Sequence, residues 1–296
     1  MGSKHTSLRL SPRVWGELLF LALIWGASFL AIKLVLGEVP VFTLVAHRVF
    51  WACLILWVYV WVRGLAMPTG GRIWGAFFIM GMLNNVVPFT LMAWGQQYIE
   101  TGLTSIFNAA TAIFGVLVAA IVFVDERLTW MRLVGVLVAF SGVSVAIGVE
   151  ALLQFDLRSV AQLAVLAGTL SYACAAAWAR SMLSGLTPQV AAAGMLTGAA
   201  LIMVPVALIV DGMPRLPDNP VTYGSIAYFA IPGTALAYLL YYRILAMAGS
   251  GNAMIVTLLI PPVAILLGWL ILGERLPPSV FFGFGLLALG LMILNR

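Results

Sequence analysis

Residues 123–135 read FVDERLTWMRLVG, and residues 271–283 read ILGERLPPSVFFG. Each has an apolar run, then Glu-Arg-Leu, then a Gly further on. Glu126 and Glu274 stand 148 positions apart in a chain of 296 residues, so half the chain separates the two copies. A charged motif written once per half points to an internal duplication.

Composition says what kind of unit was duplicated. Only 8% of the residues are charged and 63% are hydrophobic, against roughly 25% charged in an ordinary soluble domain. The mean hydropathy is +1.10. So few charges cannot cover a water-facing surface, so the solvent is lipid and membrane lipid is the first partner. The net charge of +5 is spread thinly, with no dense basic run. That excludes nucleic acid as a partner and fits a cytoplasmic bias of Lys and Arg. Cys53 and Cys174 lie inside apolar runs, without metal-ligand spacing. No metal or cofactor is expected. The first apolar run is long enough to span and has no small-residue cleavage site, so it reads as a helix rather than a signal peptide.

A membrane helix needs about 20 apolar residues. The punctuation divides the chain into ten such runs: 14–36, 40–62, 73–97, 101–123, 130–149, 159–183, 188–210, 222–247, 250–272 and 279–295. Turn residues or charges mark most boundaries, among them GEVP, VDERLT, DGMPRLPDNP and LGERLPP. Connections are short. A β-barrel is excluded, because its strands alternate over ~10 residues instead of running apolar for 20. With a cytoplasmic N-terminus, Lys4, Arg9, Arg13, Arg63, Arg72, Arg127, Arg132, Arg180, Arg243 and Arg296 fall inside. Lys33, Arg48, Arg158, Arg215 and Arg275 fall outside. The excess places both termini in the cytoplasm. The expected location is the bacterial inner membrane.

At an offset of 148, Gly135 lies on Gly283, Gly142 on Gly290, Pro40 on Pro188, Ala27 on Ala175 and Ala31 on Ala179. The expected fold is therefore an all-α membrane protein. Its ten transmembrane helices form two five-helix repeats, 1–148 and 149–296. Five is odd, so the second copy enters the membrane from the opposite side. Inverted-topology repeats are the architecture of many secondary transporters, with the substrate held near the midplane between the halves. Glu126 and Glu274 read as turn or helix-capping carboxylates beside an Arg.

The residues also resemble a known family. LIWGASFLAIKL in span 1 and LVAHRVFWACLIL in span 2 are similar to the opening of the drug/metabolite transporter superfamily, EamA type. The repeat endings ETGLTSIFNAATAIFGVLVAAIVFVDERLTWMRLVGVLVAFSGV and AGSGNAMIVTLLIPPVAILLGWLILGERLPPSVFFGFGLLALGL resemble it most clearly. The first copy departs from the second at Ile113 against Pro261 and at Asp125 against Gly273. The resemblance implies ten helices and export of small metabolites, with bacterial amino-acid exporters of aromatic type the nearest group.

Polar groups inside spans are costly and face the bundle interior. Asn84 in span 3 and Asn108 in span 4 lie deep, on faces shared with small residues; interhelical packing and contact with substrate both fit. Tyr172 in span 6, and Tyr238 and Tyr242 one turn apart in span 8, offer rings and hydroxyls to an aromatic solute. Trp25 and Ser28 share a face of span 1. His47 and Arg48 begin about 10 Å into span 2 by helical rise. Arg48 either snorkels outward or meets a substrate carboxylate. His47 either packs with a hydrogen bond or titrates to couple transport to protons. Apart from Glu17 near a helix end, no carboxylate sits within a span, so proton or sodium coupling is not written plainly. An intramembrane enzyme lacks its nucleophile and base, a channel lacks its ring of charge, and a receptor would carry no flux. The expected protein is a carrier of amino acids or similar metabolites. Multidrug or other metabolite efflux and facilitated diffusion remain as alternatives. It is a monomer or a homodimer through spans 5 and 10.

Overall fold

The computed structural model describes residues 11–124, 126, 129–148, 156–253 and 255–294. Asp125, Arg127 and Leu128 of the first motif, Lys4 and Arg9 of the tail, and Arg296 lie outside them. Among the described residues the backbone forms ten apolar helical rods. They are α1 (Pro12–Val35), α2 (Val41–Val62), α3 (Gly71–Gly95), α4 (Thr101–Val122), α5 (Trp130–Ile147), α6 (Leu157–Met182), α7 (Pro188–Val210), α8 (Pro220–Ala248), α9 (Val256–Leu272) and α10 (Pro278–Leu294). The first eight are long and apolar enough to cross a membrane. The last two are shorter apolar helices, and helical backbone runs on from α8 to Ala253. Large apolar side chains such as Trp61, Ile121 and Ile209 stand more than 80% exposed on the outside. That suits lipid and would not suit water. This is an all-helical, multi-pass membrane protein.

The rods begin where the local chemistry says they should. Ser11 caps α1, its hydroxyl accepting from Val14 N–H, with Pro12 at the first helical position. Thr129 caps α5, Asp156 caps α6 and Asn219 caps α8, each with its side-chain oxygen on a first-turn N–H. Asp156 accepts from both the N–H and the hydroxyl of Ser159, which holds its carboxyl below the usual carboxylate value. Gly273 ends α9 at φ +68°, a left-handed conformation that costs Gly nothing. It stands where the first motif has Asp125.

Three rods differ from the continuous helices the spacing suggests. α4 breaks after Asn108, at a turn over Ala109 and Ala110, and resumes at Thr111. α3 and α8 each carry a π-helical turn, at Met82–Val86 and Ile231–Leu236. Displaced by 148, the first turn would fall on 230–234, so the two occupy matching places in the halves.

The packing reads the same from either half. α5 and α10 cross so closely that a Cβ on Gly142 would lie 2.5 Å from Gly283 O, and one on Gly135 would lie 2.9 Å from Gly290 O. Those glycines are each other's counterparts at the offset of 148. α2 packs on α7, and α4 on α9. α1 meets α8 and α9, as α6 meets α3 and α4. Small residues at such crossings let backbones approach and gain dispersion contact in lipid, where no hydrophobic force drives helices together.

One end of the bundle is tied by carboxylates that cap helices of the opposite half. Asp211 accepts from the N–H and hydroxyl of Thr43 at 2.7 and 2.9 Å. Glu38 accepts from Thr222 Oγ1 at 2.9 Å. Glu274 accepts from Thr101 N–H at 2.9 Å. Lys33 donates to the carbonyls of Gln96 and Ile99, closing the C-terminal end of α3. Glu274 thus is the capping carboxylate its motif suggested. Glu126 pairs instead with Arg132 at 3.1 Å and Arg180 at 3.2 Å.

Replacing Gly142 with Val should force α5 from α10 and lower stability by about 1–3 kcal/mol. The check is a detergent-solubilised thermal melt. Gly115→Ala, where a Cβ meets open space, should show no loss.

Candidate functional site

The polar centre of the bundle is built by the two π turns. Proline is the cause in both. In α3, Pro88 excludes the carbonyl of Asn84 four residues back, and the helix widens so that Val87 N–H bonds Met82 O instead. The carbonyl of Leu83 would then look for the N–H of Pro88, which does not exist. Ser171 on α6 supplies a hydroxyl to it at 2.7 Å. In α8, Pro232 widens the helix so that Ala237 N–H bonds Pro232 O. Thr234 Oγ1 donates to the carbonyl of Phe229 at 2.8 Å.

Each widened turn meets the second helix of the other half. Arg48 on α2 donates from Nε to Thr234 Oγ1 at 2.9 Å, and its guanidinium carbon lies 3.6 Å from the centre of the Phe89 ring. That stacking is a cation–π contact with α3. On the other side Asn84 Nδ2 approaches Met195 Sδ on α7 at 3.6 Å. Position 195 is the counterpart of His47.

Tyr238 joins the two turns. Its hydroxyl accepts from Asn84 Nδ2 at 3.1 Å and donates to Asn85 Oδ1 at 2.8 Å. Asn85 is fully buried, and its own Nδ2 has no partner among the described residues. Tyr172 and Tyr238 are electrostatic neighbours of Arg48. Tyr172 meets Phe89 edge-on at 6.5 Å, and Tyr238 lies 6.4 Å from Tyr242. Tyr241 bridges Tyr242 to Trp25, at 5.8 and 5.7 Å. Arg48, Asn84, Tyr172, Tyr238 and Tyr242 are all half-buried, although they stand well inside their rods and face other helices. Side chains with that combination border interior space.

Of the nine residues the sequence singled out, five therefore converge: Arg48, Asn84, Tyr172, Tyr238 and Tyr242, with Trp25 reached through Tyr241. Ser28 is buried and bonds its own helix at Ile24 O, and a Cβ on Gly233 would lie 2.5 Å from its oxygen; it packs under the π turn of α8. His47 accepts from the indole of the exposed Trp51 at 3.2 Å, one turn along α2. Asn108 ends the first segment of α4, its carbonyl accepting from Thr111 Oγ1. Sequence reasoning passed over Thr234, Phe89, Asn85, Met195 and Ser171. Their one linear signal is a proline inside the third helix of each half, at Pro88 and Pro232, which marks where backbone groups would need partners.

An all-helical bundle with a polar, aromatic centre and short connections defines an integral membrane protein, and its relatives define which kind. The model of the EamA-like transporter family matches residues 14–148 and again 159–296. The chain belongs to that family. A protein of Streptantibioticus cattleyicolor named a probable terminal-alkyne amino-acid exporter is 28% identical over 291 residues, 98% of this chain and 95% of its own. An uncharacterised transporter of Archaeoglobus fulgidus is 26% identical over 95% of this chain and 98% of its own. A probable amino-acid metabolite efflux pump of Escherichia coli is 26% identical over 93% of this chain and 92% of its own. One solved crystal structure superposes with a TM-score of 0.68 over 95% of this chain and 96% of its own, at 16% identity, which speaks to the fold alone.

Tyr238→Phe removes the hydroxyl shared by Asn84 and Asn85 and leaves two interior polar groups unpaired. It should cost about 1–3 kcal/mol, read as a lowered melting temperature. Tyr242→Phe should cost less, since the described residues offer its hydroxyl no hydrogen bond.

Proposed function

We propose that this transporter exports small metabolites across the bacterial inner membrane, amino acids with aromatic or bulky apolar side chains first among them. The observation that carries this is the guanidinium of Arg48, held by Thr234 and Phe89 within a wall of tyrosines. A planar fork matches a carboxylate, and the rings match an apolar body. The names of the relatives in Streptantibioticus cattleyicolor and Escherichia coli support the same cargo class.

Ten spans in two inverted repeats, 1–148 and 149–296, with both termini cytoplasmic, give this carrier its means of alternating access. The reciprocal packing of α5 with α10 and of α2 with α7, the matching π turns and the two matches to the family model support that arrangement. One repeat rocks against the other about a substrate held between the π turns. The widened turns of α3 and α8 are natural hinges, because π turns and prolines are where helices bend.

The purified protein in liposomes should carry labelled phenylalanine saturably, in competition with other amino acids, and the flux should be lost in Tyr238→Ala. Threonine and a cationic dye, each with and without a pH gradient, complete the panel. Movement of the dye alone would overturn the amino-acid assignment and leave a drug carrier. Dependence on the gradient would bring His47 into the mechanism.

A further inference from the structure

We infer that the centre favours a monocarboxylate anion with an aromatic-sized apolar body over the free zwitterionic amino acid, and rejects cations. We infer further that the charge of this anion couples its export to the membrane potential. Both statements rest on the carrier reading of the Arg48 site and revise its cargo, with the amino acid carried as the weaker of two carboxylates.

The argument is a charge count. Arg48 is permanently charged and has five N–H donors. Nε is used by Thr234 and the face of the guanidinium by Phe89. Its remaining N–H groups meet no carboxylate among the described residues, because every described acid is placed elsewhere. Glu17 pairs with Arg13 and Arg243, Glu100 with Arg158, and Glu126 with Arg132 and Arg180. Glu38, Asp211, Glu274 and Asp156 cap helices. Asp218 is exposed in the connection before α8. The two other acids of the chain, Asp125 and Glu150, lie outside the described residues, next to the ends of α4 and α5 in sequence.

A cation left unpaired among helices is costly and calls for an anion. A bound monocarboxylate brings the site to neutrality. A zwitterion brings the same carboxylate but adds an ammonium, which must shed its water among neutral groups: the amide of Asn84 and the hydroxyls of Tyr172, Tyr238 and Tyr242. It leaves the site at +1. An amine without a carboxylate would raise it to +2. The ranking is therefore anion, zwitterion, cation.

The same count explains what the spans lack. Among the described residues the spans hold no carboxylate apart from Glu17 near the start of α1, which is paired with arginines, so no proton or sodium site is evident there, yet an exporter needs a driving force. An anion leaving a compartment that is negative inside moves down the potential. Each 100 mV then favours the outside by about 50-fold at equilibrium. A zwitterion gains nothing.

The test uses three molecules of one shape: 3-phenyllactate, phenylalanine and phenethylamine. Each is followed out of proteoliposomes, against protein-free liposomes, with and without an inside-negative potassium diffusion potential. Each is also tested for thermal stabilisation of the detergent-solubilised protein. Phenyllactate should exceed phenylalanine by about 10- to 100-fold in competition, as expected for the cost of desolvating one ammonium among neutral groups. Phenethylamine should neither move nor stabilise. The potential should speed phenyllactate efflux alone. Arg48→Gln should abolish the ranking, while Arg48→Lys, which keeps the charge, should retain it; both variants are checked for monodispersity. Flux in which phenylalanine or phenethylamine matches phenyllactate, or a ranking that survives in Arg48→Gln, overturns the inference and leaves the carrier reading standing. Selective stabilisation by phenyllactate without flux supports the charge count and sinks carriage. No stabilisation and no flux by phenyllactate overturns the inference as well.

Discussion

A hydrocarbon core supplies no water to complete a backbone hydrogen bond, and everything in this molecule answers to that. Ten apolar rods satisfy their own N–H and C=O groups along most of their length. Where they do not, a side chain from another helix is waiting. Pro88 and Pro232 each cost α3 and α8 a bond, and a hydroxyl caps a carbonyl beside each: Ser171 on Leu83 O, Thr234 on Phe229 O. Those repairs bring polar side chains to the middle of the bundle. The site grows from them. Thr234, needed for its own backbone, also orients Arg48, and the widened turn of α3 presents Asn84 and Asn85 together to Tyr238.

The helix ends obey the same constraint. The first N–H groups of a helix have no partner within it, and at a membrane boundary a carboxylate is the strongest acceptor available. This protein takes two of those carboxylates from the opposite half, Asp211 for α2 and Glu274 for α4, and Glu38 likewise crosses to the hydroxyl of Thr222 on α8. Capping thereby becomes a set of links between repeats at one end of the bundle. The other end is held by ion pairs instead, Glu126 with Arg132 and Arg180, and Glu17 with Arg243. Separating the halves at the capped end would leave the N–H groups of Thr43 and Thr101 without their acceptors.

Much of this was legible in the linear chain. Few charges, long apolar runs and the motif repeated at 148 are statements about solvent and period, and local physics settles both. The residues of the centre were legible by type: Arg48, Asn84, Tyr172, Tyr238 and Tyr242 are polar or amphipathic groups too deep in their spans to be interfacial. Their partners were not. Thr234 and Ser171 look like ordinary small residues in a helix, and Phe89 like any apolar one. Nothing nearby in sequence says which carbonyl has lost its donor or which cation lies over which ring. His47 and Arg48 are neighbours in the chain but stand about 100° apart around a helix. One meets Trp51 on the exposed face and the other the interior.

The sequence by itself determined the solvent, the all-helical class and the number of apolar runs, because hydropathy and spacing act within one segment. Tertiary structure alone decided that α3 and α8 widen instead of merely kinking, that α4 breaks after Asn108, and that Arg48 meets Thr234 instead of snorkelling outward. Those outcomes depend on which helices cross and on which backbone groups lose a partner where they do, and crossings are set by side chains more than a hundred residues apart.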